Sequence, residues 1–233
     1  MPMSPHRTLG VLGGMGPAAT AEFLASLAVR VPARTDQEHP RIIMLSDPAI
    51  PERTDAILTG SDAPLPHIRD GLLSLAGWGA DLLAVPCNTA HAFVDRVRTQ
   101  LPVPVVHIVD ATMREAMRVS PRGGWLAATT GTLVGGLYQE YARRVGYRLL
   151  VPQDTEQKEI HETSVLVKAN RTDEAGDRYE RAIRSLWQRE ELPVLAACTE
   201  LPIAYAATGL PPDMTVSSLD ALAMACAEEL YRG

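Results

Sequence analysis

Short apolar runs alternate with amphipathic segments along the first half of this 233-residue chain. The apolar runs are "TLGVLGG", "RIIMLSD", "ADLLAVP" and "VPVVHIV". The segments beside them place apolar residues at helical spacing, as in "PAATAEFLASLAVRV", "HIRDGLLSLAGWG" and "DATMREAMRV". This alternation predicts parallel strands joined by crossover helices.

The second half repeats this order of elements. Strands are predicted in "GGWLAATTGT", "RLLVP" and "LPVLAAC", with helices in "LVGGLYQEYARRVG" and "RTDEAGDRYERAIRSLWQREE". Gly16 and Gly131 lie about half a chain length apart in matching contexts, and so do Cys87 and Cys198. We therefore predict an α/β fold of two similar Rossmann-like lobes with parallel sheets, related by a pseudo-two-fold, with the active site in the cleft between them.

The domain boundary is expected near residue 120. Residues 1–120 are assigned to an N-terminal lobe that carries Cys87, and residues 121–233 to a second lobe that carries Cys198. The last helical pattern is expected to pack back on the first lobe. Cys226 lies in that pattern among apolar residues at helical spacing, so it is assigned to the core and given no role.

The composition narrows the functional classes. Hydrophobic residues make up 46% of the chain and charged residues 21%, and no window approaches the roughly 20 apolar residues that a membrane-spanning helix needs. The N-terminal "MPMSPHRTLG" has no apolar run of signal-peptide type, so a cytoplasmic location is expected. The net charge of −6 leaves no excess of positive charge for phosphates, which argues against nucleic acid as a partner.

Two of the three cysteines end apolar strands at polar turns, in "VPCNTAH" and "AACTELP". Thr89 and Thr199 are expected to cap the helices that follow, and the partial positive charge at a helix start lowers the pKa of a nearby thiol. A disulfide between the two cysteines would be rare in a cytoplasmic protein. The favoured hypothesis is acid–base work on opposite faces of one carbon, in which a thiolate removes a proton and a thiol supplies one.

Three other residues have both a purely structural interpretation and a functional one. His91 follows Cys87 by four residues and could form a Cys–His nucleophilic pair, but a locally bonded histidine is favoured. Arg53, in the proline-rich "SDPAIPERT", is either a solvated arginine or a bidentate ligand for a carboxylate. Lys168 follows an apolar turn in "SVLVKANRTD" and is uninformative by itself.

Two segments suggest cofactors only weakly. "LGGMGPAAT" falls short of the dinucleotide-binding pattern because Ala19 stands at the third glycine position, and a turn that lets the backbone approach a small ligand is the alternative. "DQEHP" offers acidic and histidine side chains without a second group of ligands to complete a shell. We assign neither a nucleotide nor a metal.

Taken together, these segments resemble a known family. "GVLGGMGPAATAEF", "DQEHP", "IPERT", "PCNTAHAF", "ATTGT", "EQKEI", "VKAN" and "CTELP" are similar, in order, to the motifs of the aspartate racemases of the cofactor-independent aspartate/glutamate racemase superfamily. The resemblance covers essentially the whole chain. It implies two similar α/β lobes, an active site between them, a homodimer, and chemistry that needs neither pyridoxal phosphate nor metal.

The resemblance also implies roles for individual residues. Cys87 and Cys198 would be the two acid–base residues, and Arg53 and Lys168 would hold the distal carboxylate of the substrate. Glu200 and the Gly14 turn favour the aspartate branch, because glutamate racemases carry histidine and Asp-Ser at those positions. The full set of substrate-binding residues implied is Gly14, Met15, Arg53, Asn88, Thr89, Thr130, Lys168, Thr199 and Glu200.

The expected function is thus racemisation of aspartate, a small dicarboxylic amino acid. Racemisation of glutamate or another amino acid, and the related decarboxylases and isomerases, are alternatives within the same superfamily. A non-catalytic protein that binds a dicarboxylate is an alternative from a different class. A hydrolase built on Cys87 and His91 is a more distant one.

Overall fold

The computed structural model describes residues 5–232. Within them the chain forms two compact units. The first takes in the chain up to Ile108 together with the segment from Leu219 onward, and the second runs from Val109 to Ser218. The division into domains 1–120 and 121–233, which was assigned from the sequence, stays a prediction.

The first unit is built on a four-stranded parallel sheet with the strand order β2-β1-β3-β4. Its strands are β1 (Leu9–Gly13), β2 (Ile42–Ser46), β3 (Leu82–Ala84) and β4 (Val105–Val106). The helices that connect them are α1 (Pro17–Arg30), α2 (Arg53–Thr59), α3 (Pro64–Gly77) and α4 (His91–Val97).

The second unit has the same topology, with the strand order β6-β5-β7-β8. After α5 (Ile108–Val119), its strands are β5 (Gly124–Ala128), β6 (Leu149–Leu150), β7 (Val194–Ala197) and β8 (Thr215–Ser217). Its further helices are α6 (Thr130–Gly135), α7 (Leu137–Val145), α8 (Asp154–Lys168), α9 (Thr172–Arg189) and α10 (Leu201–Ala206). The C-terminal α11 (Ser218–Tyr231) follows β8, and from Leu219 onward it belongs to the first unit.

The predicted α/β class with parallel sheets is confirmed, and so is the repeated order of elements. The central strands β1 and β5 are buried along their whole length, as strands covered by helices on both faces must be. The first core gathers around Leu12, Leu72 and Phe93. The second gathers around Tyr179 and other apolar side chains of α8, α9 and β7.

Three details differ from the sequence-based prediction. The run "VPVVHIV" forms a strand only at Val105–Val106, because the chain turns directly into α5 at Ile108. The helix predicted over "LVGGLYQEYARRVG" is two helices, since Gly136 adopts a φ of 72° and ends α6. The segment before Lys168 is the helix α8 rather than a turn, and its start is fixed by a capping box of Gln153 and Glu156.

Among residues 5–232, the helices are all too short or too polar to cross a membrane.

Candidate active site

The turn after β1 is shaped by glycines and one threonine. A side chain at Gly13 would overlap Thr20, and Gly14 has a φ of 90° and lies against the backbone of Asp47. The Thr20 Oγ1 accepts from the Gly14 N–H at 3.0 Å and donates to the Gly16 carbonyl at 2.9 Å. The glycines therefore serve a tight turn at the carboxyl end of the sheet, where ligands of parallel α/β sheets collect.

Arg53, the first residue of α2, is buried against this turn with 7% of its surface exposed. Its Nη1 donates to the Ile50 and Pro51 carbonyls at 3.2 and 3.3 Å, and its Nη2 donates to the Met15 carbonyl at 3.3 Å. The Nε–H has no hydrogen-bond partner among residues 5–232, and no described carboxylate pairs with the guanidinium. A buried cation in this state is costly unless an anion joins it.

The first cysteine turn follows β3. Cys87, Asn88 and Thr89 are all buried, and Cys87 shares an apolar cluster with Met15. The Cys87 N–H donates to the Val85 carbonyl at 2.8 Å, so the chain bends sharply before the thiol. The prediction that Thr89 caps the next helix is wrong, because α4 begins one residue later with Ala90 at the N-cap and without a side-chain cap.

His91 hydrogen-bonds to the backbone of this turn and does not pair with the Cys87 thiol. Its Nδ1 lies 2.8 Å from the Cys87 carbonyl oxygen, and its Nε2 accepts from the Ile108 N–H at 3.4 Å. The ring is fully buried, and its centre lies 4.5 Å from the centre of the His107 ring, with the two ring planes at 79°. Burial, and then the neighbouring His107, lower the pKa of His91 to about 3. The ring is therefore neutral, which the two hydrogen bonds require, and the favoured interpretation of a locally bonded histidine is confirmed.

This geometry predicts that His91 makes the fold acid-sensitive. The unfolded imidazole titrates near 6.5, whereas the folded one titrates near 3, so protons bind the unfolded state first and stability falls as the pH drops through that window. For His91→Asn, which keeps one donor to the Cys87 carbonyl, we expect about 1–3 kcal/mol less stability at pH 7. Its loss of stability between pH 7 and pH 5 should be smaller than that of the wild type. Urea unfolding at both pH values measures the difference, and an unchanged difference would refute the assignment.

The second cysteine turn follows β7 and contains a carboxylate. The Cys198 Sγ donates to Glu200 Oε2 at 3.0 Å, and the Thr199 hydroxyl donates to the same oxygen at 3.3 Å. All three residues are almost completely buried. Glu200 Oε1 has no hydrogen-bond partner among residues 5–232. Thr199 does not cap α10 as predicted, because Glu200 occupies the N-cap position without a side-chain cap.

Burial, and then the negative charge of Glu200, raise the pKa of the Cys198 thiol well above its usual range. The expectation that a helix start would lower this pKa is therefore wrong, because desolvation and a carboxylate at contact distance outweigh the dipole of a six-residue helix. Lys168 acts in the opposite direction and lowers the pKa. Burial, and to a smaller extent the neighbouring Cys198, raise the pKa of the buried Tyr138 and Tyr179 phenols.

Helix α8 brings three further polar side chains to this end of the second unit. Gln157 Nε2 donates to the Ala128 carbonyl at 2.9 Å, at the end of β5. His161, one turn later, accepts the Thr130 N–H on its Nδ1 at 3.3 Å. Lys168 is the last residue of α8, and its exposed side chain acts on Cys198 electrostatically. Thr130 thus lies just after β5, and Lys168 is close enough to Cys198 to act on its pKa.

Comparison with known proteins shows which protein family has these turns. Residues 12–228 match the sequence model of the family described as Asp/Glu/Hydantoin racemase. This chain belongs to that family. The membership of the aspartate/glutamate racemase superfamily, predicted from the eight segments quoted above, is thus confirmed.

Relatives of this racemase-family chain cover it almost from end to end. It is 26% identical over 210 residues to the broad specificity amino-acid racemase RacX of Bacillus subtilis, which spans 83% of this chain and 85% of that one. The solved aspartate racemase of Picrophilus torridus is 28% identical, with a TM-score of 0.83 over 96% of this chain and 93% of that one. An aspartate racemase homologue from Pyrococcus horikoshii shares the fold, with a TM-score of 0.73 at 21% identity, over 97% and 100% of the two chains.

In this racemase-family fold, the predicted site residues form two groups, one in each unit. Gly14, Met15 and Arg53 join around the Met15 carbonyl, and Cys87, Asn88 and Thr89 share the next turn along the sheet. The second group is Thr130, Lys168, Cys198, Thr199 and Glu200. Within residues 5–232, no three His, Cys, Asp or Glu side chains gather in a way that could hold a metal ion.

The sequence reasoning missed the role of α8 in the racemase-family site. Gln157 and His161 hydrogen-bond to the backbone at the end of β5, whereas only the segment "EQKEI", which contains Gln157 and ends one residue before His161, was named from the sequence. The Gln153 and Glu156 pair of the capping box, followed by apolar residues at helical spacing, was the signal that could have located this helix.

Proposed function

We propose that this protein is an amino-acid racemase that interconverts L- and D-aspartate with two cysteines and without a cofactor. The observation that carries the proposal is the placement of Cys87 and Cys198. Each is a buried thiol in the turn after the third strand of its own sheet order, β3 in the first unit and β7 in the second. The two turns act on one substrate, with one thiol on each face of Cα.

The reaction moves one proton off Cα and another onto it. The thiolate of one cysteine removes the Cα proton, and the thiol of the other protonates the opposite face of the resulting carbanion. The product is the opposite enantiomer, and the two sulfur atoms have exchanged protonation states. The reverse reaction, or proton exchange with water, returns them. Side chains of this kind serve such transfers when their pKa lies near the working pH.

Hydrogen-bond donors must stabilise the carbanion, because the Cα–H beside an ionised carboxylate is a very weak acid. Asn88, Thr89 and Thr199 have polar side chains in the two cysteine turns and are proposed to bind the α-carboxylate. Charge that develops on this group is held by donors already in place, in a site from which water is excluded.

The geometry favours Cys198 as the protonated cysteine at rest. Its thiol donates to Glu200 Oε2, and both burial and the Glu200 carboxylate hold its pKa high. Cys198 would then protonate the carbanion that the Cys87 thiolate generates. In the reverse direction, Lys168 supports the Cys198 thiolate by lowering its pKa.

Glu200→Gln tests this assignment. The change removes the negative charge beside Cys198 and keeps the shape of the side chain, so the pKa of the thiol should fall. We expect the thiolate absorbance of a Cys87→Ser, Cys226→Ser double variant to appear at lower pH when Glu200→Gln is added. A titration curve that stays in place would show that Glu200 does not govern the Cys198 proton.

Arg53 supports an acidic substrate, because its buried guanidinium lacks an anionic partner among the described residues. Its hydrogen bonds to three carbonyls use three of the five N–H donors and leave the Nε–H and one Nη2–H. Two such donors on one edge suit a carboxylate oxygen pair. We propose that this edge binds the side-chain carboxylate of aspartate, with Lys168 as the second cation.

The similarity to RacX of Bacillus subtilis supports a second candidate, a racemase with broad amino-acid specificity. The two candidates differ in whether turnover depends on a carboxylate in the side chain. Purified protein incubated in deuterium oxide with L-aspartate, and in parallel with L-glutamate, L-alanine and L-lysine, separates them. Chiral chromatography detects the D-enantiomers, and proton NMR detects deuterium at Cα.

Aspartate racemisation predicts D-aspartate together with a deuterated Cα, and a turnover of the other three that is measurable but much slower than that of aspartate. Turnover of all four at comparable rates would support the broad-specificity racemase. Absence of both signals for aspartate, with thermal stabilisation by aspartate retained, would favour the non-catalytic dicarboxylate-binding protein. Release of carbon dioxide from a malonate-like acid would indicate the decarboxylase alternative. The proposed homodimer is checked separately by sedimentation.

A further inference from the structure

Gln157 occupies a fixed place at the start of α8. The preceding residue, Glu156, accepts from the Gln153 N–H and from the Ser185 hydroxyl, and it pairs with Arg189. These contacts hold the first turn of α8 against α9. The neighbouring Gln157 side chain is directed to the end of β5 instead, and only 8% of the residue is exposed.

The orientation of the Gln157 amide follows from its partner. Its NH₂ group donates to the Ala128 carbonyl at 2.9 Å, and an oxygen in that position would meet another oxygen. The Oε1 atom is therefore the free end. It is buried and has no hydrogen-bond partner among residues 5–232. An acceptor in that state costs free energy unless a ligand or water supplies a donor.

The position of this oxygen connects it with the reaction. Ala128 pairs with Ala197 across the sheet, and Cys198 follows Ala197 directly. Gln157 Oε1 thus belongs to the strand end beside the proposed catalytic turn. That turn holds a second buried acceptor without a partner, Glu200 Oε1. Gln157 Oε1 and Glu200 Oε1 are therefore two unfilled acceptors near this end of the second sheet, whereas Arg53 of the first unit has an unfilled donor in its Nε–H.

We propose that Gln157 is a substrate-binding residue whose Oε1 accepts a hydrogen bond from the α-ammonium group of the amino acid. An α-ammonium group has three N–H donors and no acceptor, so it needs oxygen atoms of this kind around it. The carboxylates need donors and cannot use Gln157 Oε1. Gln157 thereby distinguishes an amino acid from a plain dicarboxylate. This inference rests on the proposed function, because it names the amino acid as the ligand.

The test compares ligands with and without the ammonium group. Gln157→Met keeps the length of the side chain and removes the amide. We expect KM for L-aspartate to rise about ten-fold or more, as the loss of a buried hydrogen bond to a charged group implies. Inhibition by succinate, which has both carboxylates and no ammonium group, should change less than about three-fold. Thermal unfolding of each variant shows whether it is folded.

Gln139→Met is the matched control. Gln139 also donates its NH₂ group, to the Leu133 carbonyl at 2.7 Å, and its Oε1 is also buried without a hydrogen-bond partner among the described residues. It lies on α7 rather than at a strand end. An unfilled oxygen is thus common to both residues, but Gln139 is less buried and does not lie at the strand end beside Cys198. The control should leave KM and succinate inhibition unchanged.

The outcomes separate the possible failures. Equal weakening of aspartate and succinate by Gln157→Met would overturn the ammonium contact and indicate a structural role. Unchanged KM in a folded, active variant would overturn it too. A wild type that binds aspartate without turning it over would refute the racemase function. In that case the Gln157 inference is decided by whether Gln157→Met changes the ratio of the affinities for aspartate and succinate. A wild type that binds no amino acid would refute both.

Discussion

Cys87→Ala and Cys198→Ala are each expected to lower racemisation of L-aspartate about a thousand-fold or more, while Cys226→Ala retains nearly full activity. Each of the first two changes removes one partner of a proton transfer that needs both faces of Cα, and a positioned acid or base contributes about 10²- to 10⁴-fold. Cys226 is fully buried in α11, where burial raises its pKa, and alanine fills most of its volume. Chiral chromatography of the product measures all three.

Hydrogen exchange makes this test specific for a two-base reaction. A single remaining cysteine can remove the Cα proton of the enantiomer that faces it and return a deuteron to the same face. In deuterium oxide, each variant should therefore exchange the Cα proton of one enantiomer only, and the two variants should select opposite enantiomers. Exchange of both enantiomers by one variant would contradict the assignment of one cysteine to each face. Equal losses in Cys87→Ala, Cys198→Ala and Cys226→Ala would indicate a structural effect instead.

The α/β class and the repeated order of elements could be predicted from the pattern of apolar runs, whereas the order of strands within each sheet came from the structure. Fully apolar runs such as Leu9–Gly13 have one stable location, the centre of a parallel sheet, so their class follows from local composition. Cys87 and Cys198 could be placed at strand ends for the same reason. The short strands Val105–Val106 and Leu149–Leu150 were harder to predict, because two residues are too few to show a periodic pattern of apolar positions.

The chemical environment of the two thiols was harder to predict from the sequence. The pKa of Cys198 depends on burial and on a carboxylate two residues away, and neither quantity can be obtained from spacing alone. The role of His91 depends on the Ile108 N–H, 17 residues later in the chain. Gln157 was missed because the partner of its amide, Ala128, is 29 residues earlier. Contacts that close long loops are set by the packed sheet and not by neighbours in the sequence.

Arg53→Met is expected to lower kcat/KM for aspartate about 100-fold relative to kcat/KM for alanine. Truncating one partner of a buried, hydrogen-bonded charge pair typically costs 2–5 kcal/mol or more, and aspartate would lose that interaction whereas alanine has no side-chain carboxylate to lose. Steady-state kinetics with both amino acids give the ratio directly. Arg69→Met is the control, because Arg69 is exposed and already pairs with Asp70 at 2.9 Å.

The stability of Arg53→Met tells whether this arginine serves the fold or the ligand. If Arg53 were paired with a buried carboxylate, its removal would leave that carboxylate uncompensated at a cost of about 3–5 kcal/mol. Arg53 has only carbonyl partners at 3.2 to 3.3 Å. The ligand-free variant should therefore unfold within a few degrees of the wild type, while aspartate stabilises only the wild type against heat. A large loss of stability in the ligand-free variant, with the aspartate-to-alanine ratio unchanged, would show that Arg53 holds the Met15 turn and not the substrate.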